Sequence, residues 1–154
     1  MNSKPTTQQL INAVCVELAS KIAPAISDPT AKVQLDMALA ILRTTAVRSG
    51  NELAWMKEES DAIEAAANQL LAQLPEASSL AAALAAYTGG RTGRLGLDDA
   101  VADYQLATEV LSCAIDAAYE SDDEGHIATV GALIDQRHGH QQTVTGQFMA
   151  LGRE

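Results

Sequence analysis

The chain has 154 residues, near the size of one domain and long enough to bury a core without disulfides or a structural metal. Hydrophobic residues make up 47% of it but aromatics only 3%, so Ala, Leu, Ile and Val must fill that core, and side chains this small let helices approach closely. A net charge of −10 argues against a nucleic-acid backbone or an anionic membrane surface as partner, since both demand a concentration of Lys and Arg.

Apolar residues recur every three or four positions from Thr7 to about Leu133, and no segment alternates for long as a strand would. The expectation is an all-α fold: a single-domain antiparallel helical bundle of five to six helices over residues 1–154. The first helix starts near Thr6 or Thr7, where Gln9 completes a capping box with Thr6. Ile11, Val14, Leu18 and Ile22 then share a face until Pro24, which lacks an amide proton, ends or bends the helix. Asp28-Pro29 is a start signal, a capping carboxyl followed by a residue preset for the first helical position.

The second helix runs to about Ser49, with apolar residues on more than one stripe. Ser49-Gly50-Asn51 can close it and cap the next, which makes a tight helical hairpin the favoured reading. The alternative is one long helix through Gly50, because an interior Gly costs only about 1 kcal/mol relative to Ala. The third helix, about Glu52 to Leu74, places Leu53, Met56, Ile63, Ala67, Leu70 and Leu74 on one face with acids opposite, including Glu58, Glu59 and Glu64. After Pro75 a short Ala-rich helix with Leu80, Leu84 and Tyr87 stops at Gly89-Gly90.

Residues 88–97, with four glycines and two arginines, are expected to form a flexible Gly/Arg-rich connector. Asp98 or Asp99 is expected to cap the next helix, whose Val101, Tyr104, Thr108, Leu111, Ile115 and Ala118 keep a near-heptad spacing. Ser121 and Glu124 suggest a capping box for the last helix, where Ile127, Val130, Ile134, His138, Gln141, Thr145 and Phe148 share a seam that turns polar halfway along. Gly139 and Gly146 lower helix propensity there, pointing to a kink or to packing against a second subunit.

No Lys or Arg falls between Arg94 and Arg137, while ten acids do, from Asp98 to Asp135. Such a run reads as a solvated face, with a docking surface for a basic partner as the alternative. Cys15 and Cys113 lie in apolar helical surroundings without CxxC spacing and read as reduced packing residues. Glu17 and Lys21 interrupt the stretch from Leu10 to Ile26, so it is no signal peptide. No run approaches the roughly 20 uncharged apolar residues of a bilayer span, and the expected compartment is the cytoplasm.

Few side chains suggest chemistry. Asp135, His138 and His140 are the candidates for a metal ion, since Asp and His three apart project from one helical face; yet the paired Glu-x-x-His of a di-metal bundle is missing, and the expectation is no metal and no cofactor. His138, Gln141 and Thr145 could line a polar pocket for a small ligand, or pair across a dimer interface. Arg91 and Arg94 in the glycine-rich stretch could bind an anion, although the GxxxxGK[ST] arrangement is missing. Trp55 reads equally as a partner anchor and as a core or subunit contact. No GxSxG motif surrounds any serine and all three histidines follow residue 125, so no catalytic set is assembled.

The stretch from Gln9 to Glu59, with LINAV in the first helix, then IAPAISDPTAKVQLDMALAILRTTAVR and NELAWMKEE, resembles a group of small uncharacterised bacterial helical proteins. These are often encoded beside aminoglycoside-phosphotransferase-like kinases and acyl-CoA dehydrogenases. The resemblance implies an accessory role in acyl-CoA or related small-molecule catabolism and brings no assigned functional residues. The reading is a non-catalytic helical-bundle protein, a homodimer that works through protein–protein contacts. The competing one is a small-ligand-binding or enzymatic accessory protein with a polar pocket near His138 and Gln141.

Overall fold

The computed structural model of the chain describes residues 4–145, residue 145 by its backbone alone. Five α-helices follow in order: α1 (Thr7–Glu17), α2 (Pro29–Gln73), α3 (Ser78–Gly90), α4 (Leu97–Glu120) and α5 (Glu124–Thr145). Among the described residues there is no strand, and the fold is all-α as the periodicity predicts. Short connections join α2 to α3, α3 to α4 and α4 to α5, so consecutive helices run antiparallel. The contacts divide the chain into two units, Met1–Glu52 with Gln141–Glu154, and Leu53–His140. Thr145 by its side chain, and Gly146 and Phe148 altogether, lie outside the described residues.

The first unit begins as the sequence dictates. Thr6 accepts the Gln9 amide (3.2 Å) and the Gln9 side chain accepts the Thr6 amide (2.9 Å), closing the capping box. Pro24 cannot extend the helix, and the chain responds by widening into a single π turn over Leu18–Ile22 and then tightening into a 3₁₀ turn over Ala23–Ala25. Asp28 Oδ1 accepts the Thr30 amide (3.1 Å), with Pro29 at the first helical position.

The expected hairpin at Ser49-Gly50-Asn51 does not form. Helix α2 continues through all three residues to Gln73. The reason lies in the side chains that were read as caps: Ser49 Oγ donates back to Ala46 O (2.9 Å) and Asn51 Nδ2 back to Val47 O (2.8 Å), so neither is offered to a new helix start. Gly50 has a packing use within the first unit, since a Cβ there would sit 2.8 Å from Gln8 Oε1.

In the second unit the core is built on Ile63, Ala67 and Leu70 of α2, Leu80, Leu84 and Tyr87 of α3, the α4 residues from Ala107 to Ala118, and Val130 of α5. Helices α3 and α4 bring their Cα atoms within 8 Å of each other, as alanines at 107, 114, 117 and 118 permit. The buried stripe of α4 is Ala107, Val110, Leu111, Ala114, Ala117 and Ala118, rotated toward the alanines from the face the heptad spacing suggests, and Val101 is exposed.

Two caps also differ from expectation. Gly96, not Asp98 or Asp99, is the N-cap of α4, and the two acids occupy its first turn, where the helix dipole favours them. Asp123 rather than Ser121 caps α5: its Oδ1 accepts the amides of Gly125 (2.8 Å) and His126 (3.1 Å), and these bonds hold its carboxyl below the usual range. Ser121 Oγ donates instead to Ala118 O (2.7 Å). The thiols of Cys15, buried in the first unit, and Cys113, packed against the second unit's core, are both free.

Candidate functional site

Two polar constellations stand out, both inside the second unit. The first is centred on Glu59, a buried carboxyl on the apolar side of α2. Tyr104 of α4 donates its hydroxyl to Glu59 Oε2, and His140 of α5 donates from Nδ1 to Oε1 (2.7 Å). Arg137 Nε lies 3.9 Å from Oε2, with its guanidinium 5.2 Å from the Tyr104 ring centroid. The Trp55 ring stacks on His140 at 4.9 Å and 15°, and Glu58 stands 4.0 Å from His140 Nε2. Burial and then the neighbouring Glu59 carboxyl push the Tyr104 phenol well above its ordinary value.

A carboxyl, a phenol, an imidazole and a guanidinium make an acid–base set, and the test of chemistry is access. The gap bounded by Glu59, Ile63, Leu111, Leu133, Gln136 and Arg137 has no room for even a water molecule. Among the described residues no buried side-chain oxygen or nitrogen is without a partner. The cluster is a satisfied polar latch between α2, α4 and α5, closed at the gap that Glu59 and Arg137 share.

This latch also explains why the expected seam of α5 is out of phase. After Val130 the buried side continues through Leu133, Arg137 and His140, at spacings of three, four and three, rather than through Ile134, His138 and Gln141, which are exposed. Asp135 is exposed too, so the Asp135, His138 and His140 trio does not converge: His140 turns to Glu59 while the others face outward. Among the described residues no three His, Cys, Asp or Glu side chains gather as a metal ion would require.

The second constellation contains Arg91 and Arg94. Both line a cleft of about 440 Å³ walled by α2, α3 and the start of α4, to which Leu53, Met56 and Leu95 contribute apolar surface. Neither His138 nor Gln141 is among its walls. The segment after α3 is tied to α4 by one residue: Asp103 accepts the amides of Thr92 (2.8 Å) and Gly93 (2.9 Å) and the Thr92 hydroxyl (3.2 Å). Gly93 has φ +65°, a conformation that suits glycine and that the turn requires. Arg91 donates to Glu64 and to the Tyr87 hydroxyl (3.3 Å), with its guanidinium over the Tyr87 ring. The Tyr87 bond first, then Glu64, raises the Arg91 guanidinium above its ordinary value.

Burial acts to raise the Asp103 carboxyl, but the Thr92 and Gly93 amides outweigh it and hold it below the ordinary 3.8. A carboxyl depressed in the folded state gives stability that is complete above its unfolded value and is lost as pH falls through the folded one. The anchoring of residues 91–96 should accordingly weaken as pH drops below 3.8. At neutral pH, Asp103→Asn should act in the same direction, since its amide group faces an N–H donor where a second acceptor is needed. Trypsin is expected to cut after Arg91 and Arg94 about fivefold faster in this variant, from roughly 1 kcal/mol of lost local closure. An unchanged cleavage rate would show that Asp103 does not hold the segment.

No protein-family model, curated protein or solved structure matches the chain.

Proposed function

We propose that the protein is a non-catalytic helical scaffold that works through protein–protein contact, first of all with a second copy of itself. The observation that carries this is on α2. Val33, Met37 and Ile41, four residues apart and hence on one helical face, are 59%, 61% and 58% exposed. Among its described residues the first unit buries only Cys15, Leu39 and Ala46 of its hydrophobic side chains, while Leu10, Val14, Val16, Ile22, Val33, Met37 and Ile41 are exposed. Helix α1 adds a second row, Leu10 and Val14, beside a groove of about 320 Å³ lined by Val14, Leu18 and Ile22.

The α2 row is self-complementary. In an antiparallel pairing about a two-fold axis at Met37, Val33 of one copy meets Ile41 of the other, and the reverse, which is the isologous arrangement of most dimers. From Pro29 to Glu52 the helix is roughly 36 Å long, and a face roughly 10 Å wide gives about 360 Å² per copy. A stable interface needs about 800 Å² per partner, so the contact is a reversible one that forms with concentration. The setting implied by the N-terminal resemblance, an accessory role in acyl-CoA or small-molecule catabolism, fits a protein that assembles and releases.

Sedimentation equilibrium tests this. The wild-type chain should pass from monomer to dimer as concentration rises through the micromolar range, and Met37→Glu, which sets two like charges against each other at the axis, should weaken dimerisation at least tenfold. A strict monomer over the whole range would remove the proposal.

A further inference from the structure

The cleft of the second unit carries three cations, Lys57, Arg91 and Arg94, and three acids, Asp61, Glu64 and Asp103, on its walls beside uncovered apolar surface. Of the cations on its walls, Lys57 is bonded to Asp61 (2.8 and 3.0 Å) and Arg91 to Glu64. Of the acids, Asp103 is engaged by the amides of Thr92 and Gly93. Arg94 differs: its backbone amide donates to Thr92 Oγ1 (3.2 Å), but its exposed guanidinium forms no ion pair among the described residues. Next to it Leu95 is 80% exposed, and Leu53 across the cleft is also exposed. One unpaired cation beside apolar walls, in a cleft of about 440 Å³ that falls within the usual size of small-molecule sites, defines a ligand chemistry.

We propose that this cleft binds a small carboxylate with an apolar body, its headgroup on the Arg94 guanidinium and its chain against Leu53, Met56 and Leu95. A guanidinium offers two parallel N–H donors that match the two oxygens of a carboxylate. The carboxyls of Asp61 and Glu64 on the same walls disfavour a multiply charged headgroup such as a phosphate, whereas a monoanion is matched by Arg94, which has no ion pair among the described residues. Covering Leu95 and Leu53 supplies the apolar part of the affinity. The ligand site and the self-association face of the first unit are separate claims, and neither depends on the other.

Octanoate is the probe. Isothermal titration calorimetry of the full chain should show saturable binding of octanoate, with octan-1-ol, octylammonium and inorganic phosphate each at least tenfold weaker. Arg94→Gln should weaken octanoate about tenfold, the factor that roughly 1.4 kcal/mol of binding free energy supplies. Arg94→Lys should retain part of the affinity, and Leu95→Ser should reduce it without altering the preference for the carboxylate. The Arg94 side chain is exposed and forms no ion pair among the described residues, so the thermal transition of Arg94→Gln should match wild type and exclude misfolding as the cause. Three results would each overturn the proposal: no saturable octanoate binding, equal binding of octanol or phosphate, or an affinity that Arg94→Gln leaves unchanged.

Discussion

Replacing Leu80 by Ala is expected to destabilise the second unit by about 3–4 kcal/mol. Leu80 is 0% exposed and sits where α3 meets α4. The core cluster it belongs to is rich in alanine, and Ala83, Ala107, Ala114 and Ala118 have no rotamers through which to swing into a vacated volume. The removed methyl groups lose their transfer free energy, and the cavity left behind adds to the cost because the surroundings cannot close it. Urea unfolding followed by circular dichroism checks this, with Leu95→Ala as the comparison. Leu95 is exposed, and its truncation should change stability by no more than about 0.5 kcal/mol. Equal effects at the two positions would mean that the α3–α4 contact is not the core of the unit.

The second large effect is expected at the Glu59 latch, and its signature is a failure of additivity. Tyr104→Phe removes the hydroxyl that meets Glu59 Oε2 and leaves that buried oxygen with only Arg137 at 3.9 Å, an expected loss of about 2 kcal/mol. His140→Ala should cost a similar amount, because it strips the partner of Oε1 and uncovers Trp55. Adding Glu59→Met to Tyr104→Phe removes the carboxyl along with its donor, so the double variant is expected to be more stable than Tyr104→Phe alone. Denaturant midpoints of the four members of this cycle decide the matter. A double variant less stable than either single one would show that Glu59 does something other than satisfy its partners.

The helix starts and stops that were legible in the sequence are those set by adjacent residues. Thr6 with Gln9, Asp28 with Pro29 and Gly89-Gly90 each act within one turn, so their signals are local and they read correctly. The misread signals are those where a side chain had a second use. Ser49 and Asn51 bond back to their own helix, Ser121 bonds to Ala118, and Gly96 takes the cap that Asp98 and Asp99 were expected to supply.

The sequence reading puts Glu59 with Glu58 and Glu64 on the face opposite the apolar stripe, and the structure corrects this by burying Glu59. A sharper signal existed: the stripe of Leu53, Met56, Ile63, Ala67 and Leu70 skips one turn, and Glu59 with Ser60 fills it. An acid at a position the core periodicity requires is a buried acid in search of partners. Arg91 and Arg94 were visible as an anion-binding candidate. That Asp103 would anchor their segment was not, since it lies ten residues further on in what reads as an acidic run.

The central claim is contact between copies across the Val33, Met37 and Ile41 face, and cysteine cross-linking tests it most directly. A two-fold axis at Met37 sets the two residues 37 opposite each other, whereas Arg43, on another side of the same helix, is turned away. Under mild oxidation Met37→Cys should form an intermolecular disulfide far faster than Arg43→Cys at equal protein concentration. Equal rates at the two positions, or none at position 37, would contradict it.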